Sequence, residues 1–271
     1  MTAPWNVFGL TQAGLETLIL VLVRVGAMLM VVPIFSQTQI PRLLKFGLSL
    51  LLAFVVVRTI PPVAPLGLGA LTVAIAAQVF VGLVFGFVAF LLFTGIQFAG
   101  EIIDTQIGFA IVNVINPQTS QSVTVIGEFQ LALATLLYLA ADGHHALIAG
   151  MARSFHLVPL PFAGAPDLLA GDLVRFFTQA LFIVFEIAAP VAIALFLVNV
   201  TLGLMAKVAP QMNVFVVGFP FQIAVGLIML IVTMPLLGAV FPTLLDRSLR
   251  QSDTALRAMA PAASPSPSPT P

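Results

Sequence analysis

Six runs of apolar residues take up most of the chain: Leu15 to Val32, Leu43 to Ile60, Ala70 to Phe98, Phe129 to Ala149, Phe176 to Leu204 and Val214 to Val240. Each lies near or above the roughly 20 residues with which a helix crosses the hydrocarbon layer of a bilayer. No water satisfies a bare N–H or C=O in lipid, so irregular backbone cannot face it. The runs read as six helices and no strands. Composition agrees, with 60% hydrophobic residues, 7% charged residues and a mean hydropathy of +1.15 over 271 residues. Ordinary soluble domains do not reach such values, and the chain reads as an all-α integral membrane protein.

Net charge is zero, so no global basic field attracts nucleic acid. With no cysteine, disulfides, thiolate metal sites and a cysteine nucleophile are excluded. The first positive charge is Arg24, deep in an apolar run, so the start lacks the basic region of a secretory signal and the first helix is expected to be retained. Residues 1–250 read as one helical membrane domain. Residues 251–271 read as a Ser/Pro-rich tail, with too little apolar surface from Ala260 to Pro271 to fold.

The first two runs are joined by Pro33 to Pro41, whose prolines discourage helix continuation, so an antiparallel hairpin is expected. The sixth run would be about 40 Å long at 1.5 Å per residue, longer than the roughly 30 Å layer. Pro220 and Pro235 free the carbonyls of Val216 and Ile231 there, and Pro190 frees that of Glu186 in the fifth run. Gly82 and Gly86 form a small-xxx-small pair suited to tight helix packing.

Between the third and fourth runs lies Gly108 to Ser122, polar but uncharged, with Glu101 and Asp104 before it and Glu128 after it. Such a loop must be buried in protein, line an aqueous cavity or lie outside the membrane. No Lys or Arg occurs between Arg58 and Arg153, which places this loop on the non-cytoplasmic side and both termini inside. Arg42 and Lys45 oppose that arrangement.

Intramembrane charge singles out Arg24 and Glu186, with Glu16 nearer a helix end. Glu16 and Arg24 are two turns apart, beyond an i,i+4 pair, so Arg24 is expected to find its partner on another helix or subunit. Pairing is favoured for these charges over a proton relay. Asp142-Gly143-His144-His145 reads as a helix-end turn rather than a metal site, because further ligands are lacking. Gln78, Gln97, Gln106 and Gln130 could line an aqueous route, although hydrogen bonding between helices is the plainer reading. No nucleophile elbow and no phosphate-binding glycine loop is present. Neither a catalytic residue, a metal nor a cofactor is expected.

Three passages resemble the FliR/SctT-type family of type III export-gate membrane proteins. Arg24-Val-Gly-Ala through Pro33-Ile-Phe-Ser to Ile40-Pro-Arg-Leu-Leu-Lys is similar to the family's first hairpin. Gly100-Glu-Ile-Ile-Asp to Asn116-Pro-Gln-Thr, followed by Asp142-Gly-His-His, is similar to its central region. The most specific passage is Gly203-Leu-Met-Ala-Lys-Val-Ala-Pro-Gln-Met-Asn-Val-Phe-Val-Val-Gly-Phe-Pro, between the last two helices. The resemblance favours the flagellar branch over the virulence branch.

It implies a non-enzymatic subunit of the flagellar export gate in the bacterial inner membrane, at the flagellar basal body. Its implied partners are FliP-type and FliQ-type gate subunits, FlhB-type and FlhA-type export components and unfolded flagellar substrates. It also implies that the helices form hairpins, that much of the assembly is raised towards the periplasm, and that the central loop is a re-entrant or lumenal plug.

Carried onto this chain, the plug spans Phe109 to Ser122. Phe109, Ile111, Val112, Val114 and Ile115 could close a dry constriction, while Asn113 and the stretch from Asn116 and Pro117 to Ser122 could be hydrated when it opens. An uncharged lining suits diverse cargo. Arg24, Glu186, Pro190, Lys207, Pro210 and Pro220 are expected as polar or helix-break positions for subunit packing. Two other readings remain open: a stand-alone transporter with its site near Glu186 and Pro190, and an intramembrane hydrolase or transferase using His144, His145 or Glu186.

Overall fold

The computed structural model describes residues 11–37, 40–109, 124–161, 169–211 and 213–259. Within them lie eight helices and no strand: α1 (Gln12–Val31), α2 (Pro33–Ser36), α3 (Arg42–Val57), α4 (Leu68–Ile107), α5 (Val125–Ala140), α6 (Gly143–Leu157), α7 (Leu169–Val208) and α8 (Val214–Met259). Among the described residues four helices are long and apolar enough to cross a membrane, or up to five if the bent pair α5 and α6 counts as one span.

Two of the six expected runs differ in detail. The second forms α3, whose 16 residues reach only about 24 Å at 1.5 Å per residue. The fourth breaks after Ala140, where Asp142 adopts φ 53° and the chain bends by 71° into α6. Left-handed backbone is a conformation that Asp tolerates better than most residues, because its short side chain bonds locally. By contrast α4 and α7 reach 40 residues each and α8 reaches 46, roughly 60 to 70 Å, or about twice the hydrocarbon layer. Residues 251–259 of the expected tail continue α8, and 260–271 lie outside the described residues.

The chain divides into two compact units. In the first (Met1–Phe90, His145–Val174 and Leu249–Pro271), α1 packs along α3. Gly82 and Gly86 bring α4 against α1 so closely that a Cβ at Gly86 would stand 2.9 Å from the Met28 carbonyl oxygen, and one at Gly82 would strike that of Arg24. Thr17 accepts a hydrogen bond from Val63 N–H at 2.9 Å and Glu16 accepts one from Leu66 N–H at 2.8 Å. These two side chains pin the connector between α3 and α4 onto α1.

The second unit (Leu91–His144 and Arg175–Ser248) has a core of Ala99, Ile103, Ile107, Ile126, Val184, Ala188, Val191, Leu195 and Leu230. Phe93 meets Tyr138 edge to face at 5.4 Å between ring centres. The apolar windows of α7 and α8 are only 28% and 17% buried within the chain. Phe182, Phe185, Phe196, Val216, Ile231 and Val232 all stand more than half exposed. Surface of this kind needs lipid or other protein against it.

Candidate functional site

The central loop is anchored at its base by one carboxylate. Asp104, in the last turn of α4 and 2% exposed, accepts hydrogen bonds from Ile126 N–H at 3.0 and 3.1 Å and from Gly127 N–H at 3.2 Å. These amides belong to the first turn of α5, whose N–H groups have no partner inside their own helix. Thr124 at the N-cap makes no side-chain cap. Asp104 therefore supplies the missing acceptor from the other end of the loop, and its negative charge suits the positive end of the helix dipole.

Close backbone approach makes this reach possible. A Cβ on Gly100 would lie 2.6 Å from the Gly127 Cα, so α4 and α5 cross almost backbone to backbone. Before the loop departs, the N–H groups of Gly108 and Phe109 both donate to the Asp104 carbonyl, at 3.1 and 3.0 Å. Gly108 has φ +97°, and a Cβ there would lie 2.6 Å from the Phe219 ring. Only glycine serves at this point, on both conformational and steric grounds. Phe109 then packs against the unit's apolar core.

Around this base Glu101 interacts electrostatically with both Asp104 and Glu128, and Gln97 donates to Glu128 at 3.3 Å. Three carboxylates thus gather between the end of α4 and the start of α5. Of the expected plug positions, Phe109 is described, whereas Ile111, Val112, Asn113, Ile115, Asn116 and Pro117 lie outside the described residues.

Arg24 is 1% exposed. Its Nε donates to Gln78 Oε1 at 2.6 Å, Nη1 to the Ser154 carbonyl at 3.0 Å and Nη2 to the Val158 carbonyl at 2.9 Å. The guanidinium sits 4.2 Å from the centre of the Phe155 ring. These partners lie on α4 and at the C-terminal end of α6, within the same unit and the same chain, and none of them is a carboxylate. The planar fork of arginine suits such divergent acceptors, and a ring face favours a cation.

The remaining positions scatter. Glu186 is exposed on α7 one turn before the half-buried Pro190, while Lys207 and Pro210 are exposed around the end of α7 and Pro220 is exposed in the first turns of α8. Gln222 donates to Asn199 between α8 and α7. Asp142, His144 and His145 bring donor atoms within 4.8 Å of one another, but all three belong to one turn and no ligand joins them from elsewhere in the described residues. The capping role of Asp104 is absent from the expectations drawn from sequence. An acid near a helix end, 22 residues ahead of an uncapped helix start, was the available signal.

The profile described as "Bacterial export proteins, family 1" matches residues 15–248. The chain is 36% identical to flagellar biosynthetic protein FliR of Bacillus subtilis (strain 168) over 80% of this chain and 85% of that protein. It is 32% identical to FliR of Escherichia coli (strain K12) over 80% of this chain and 83% of that protein. Yop proteins translocation protein T of Yersinia pestis is 28% identical over 82% of this chain and 87% of that protein. The matched region thus runs from the first long helix to the end of the second unit, and the chain belongs to bacterial export proteins family 1, the family that includes FliR.

Proposed function

We propose that this chain is a non-enzymatic subunit of the flagellar type III export gate in the bacterial inner membrane, and that residues Phe109 to Ser122 plug its channel. The observation that carries the reading is the anchored loop: a long uncharged segment whose two ends are drawn together by Asp104 at the start of α5. A plug must be held firmly at its base while its tip yields to passing cargo, and a buried carboxylate on two backbone amides supplies such a hinge. FliR of Bacillus subtilis at 36% and of Escherichia coli at 32% identity stand above the Yersinia protein at 28%, although FliR of Buchnera stands at 26%, and the two higher identities support the flagellar branch over the virulence branch.

In this reading the six apolar runs form the membrane-embedded helices in hairpin order, with the loop in the gate lumen or on the non-cytoplasmic side. The exposed faces of α7 and α8 are covered by FliP-type and FliQ-type subunits, and FlhB-type and FlhA-type components approach the assembled gate. Arg24 holds its own subunit together, while Glu186, Pro190, Lys207, Pro210 and Pro220 shape the surfaces between subunits. The energy for export comes from elsewhere in the apparatus.

The test is to isolate the tagged chain from native membranes in mild detergent and identify what accompanies it. Recovery of FliP-type and FliQ-type subunits is expected. A stable monomer whose melting responds to a small solute would contradict the gate reading and favour a stand-alone transporter.

A further inference from the structure

A cleft of about 80 Å³ opens in the second unit between α5, α7 and α8. It is far smaller than the roughly 300 Å³ at which small-molecule pockets begin, so it holds a side-chain head rather than a metabolite. Its walls include Leu133, Leu230 and Leu237, and its polar groups are Gln130, Glu186 and Thr233. Gln130 is only 5% exposed, yet its Oε1 has no hydrogen-bond partner. Thr233 spends its hydroxyl proton on the Met229 carbonyl at 2.9 Å, so its oxygen has only acceptor capacity left. The Glu186 side chain makes no hydrogen bond or ion pair among the described residues. Pro190 also strips the Glu186 carbonyl of its helical donor.

Beside the Gln130 amide N–H group the cleft thus offers three acceptors without a donor from the described residues, Gln130 Oε1, the Thr233 hydroxyl oxygen and the Glu186 carboxylate, the last on a helix apolar enough to cross a membrane. A buried acceptor without a donor costs about 1–3 kcal/mol and a bare charge more. Lipid offers neither a donor nor a counter-charge. What fits is a cation bearing several N–H donors on an apolar stem, which is the description of lysine: three donors on an ammonium, behind four methylenes that suit leucine walls. An alkali ion fits less well, because few oxygens are offered among mostly apolar walls.

We infer that the cleft at Glu186 is a socket for the ammonium of a lysine on a neighbouring membrane subunit. The inference rests on the proposed function, since it requires an assembled complex. It adds the chemistry by which one neighbour is recognised.

The test treats the intact detergent-solubilised complex with dicyclohexylcarbodiimide, which activates carboxyl groups in apolar surroundings. The activated Glu186 carboxyl is attacked by a neighbouring deprotonated lysine amine; an amide bond forms and the reagent leaves as its urea, carrying the elements of water. Mass spectrometry should find Glu186 joined to a lysine of another subunit. The Glu186→Gln variant should lose that cross-link and reduce recovery of the same neighbour by about tenfold or more.

An unlinked acylurea on Glu186 in an intact complex would overturn the socket, as would full retention of the neighbour by Glu186→Gln. A rise in melting temperature with sodium, seen only when Glu186 is present, would overturn it in favour of a bound ion. Recovery of a monomer without any neighbour would sink the socket and the proposed function together, and is recognised before any cross-linking.

Discussion

Replacing Asp104 by alanine should release the loop at its base, and the size of the effect follows from what the carboxylate touches. It accepts from two buried amides, Ile126 N–H and Gly127 N–H. Each buried donor left without a partner costs about 1–3 kcal/mol, and the first turn of α5 can recover part of this by fraying into contact with water. A net loss of about 2–4 kcal/mol in the local opening free energy is expected. Hydrogen exchange reads it directly, because each factor of ten corresponds to about 1.4 kcal/mol, so the Ile126 and Gly127 amides should exchange roughly 30-fold to 1,000-fold faster. The Asp104→Asn variant keeps a neutral acceptor in place of the charged one and should lie between, at about fivefold. Amides near Ala188 and Val191, in the core of the same unit, serve as the internal reference and should not change. Equal exchange in the parent and Asp104→Ala would refute the anchoring role. Equal exchange in Asp104→Ala and Asp104→Asn would show that the acceptor itself is not what holds the turn.

Two further outcomes follow. Arg24→Lys keeps a charge but cannot reach Gln78, Ser154 and Val158 together; it should destabilise the purified chain by about 2–4 kcal/mol in thermal melting, and full stability would contradict the network. Among glycines, Gly86→Ala and Gly100→Ala place a methyl group against rigid backbone at 2.9 and 2.6 Å, while Gly203 has nothing within 4 Å. The first two should melt several degrees lower and Gly203→Ala in the isolated chain should match or exceed the parent, by up to about 1 kcal/mol from helix propensity; three equal melting temperatures would show that the helix crossings are looser than described.

How much of this was readable in the sequence differs from element to element. The long apolar runs announce membrane helices because backbone hydrogen bonding in lipid leaves so few options. Gly82 and Gly86 announce a tight crossing because residues without a Cβ let two backbones approach, and the structure sets them against α1. The break at Asp142 is harder to see, since the turn is set by one left-handed residue inside an otherwise continuous apolar run. Hardest of all are contacts between distant residues. Arg24 is conspicuous as a buried charge, but its acceptors lie 54, 130 and 134 residues away, and two of them are backbone carbonyls that no side-chain pattern can flag. Asp104 looks like one acid among Glu101 and Glu128 until the crossing at Gly100 and Gly127 carries it onto the start of α5. The sequence marks the loop by its lack of charge, and the fold explains how its ends are held.

Ion leak through the assembled gate, with and without residues 113–122, tests the plug most directly. Gates reconstituted in planar bilayers should be closed with the full loop and conduct ions once Asn113 to Ser122 is deleted, with subunit composition unchanged. A deleted gate that assembles normally and stays as tight as the parent would contradict the plug.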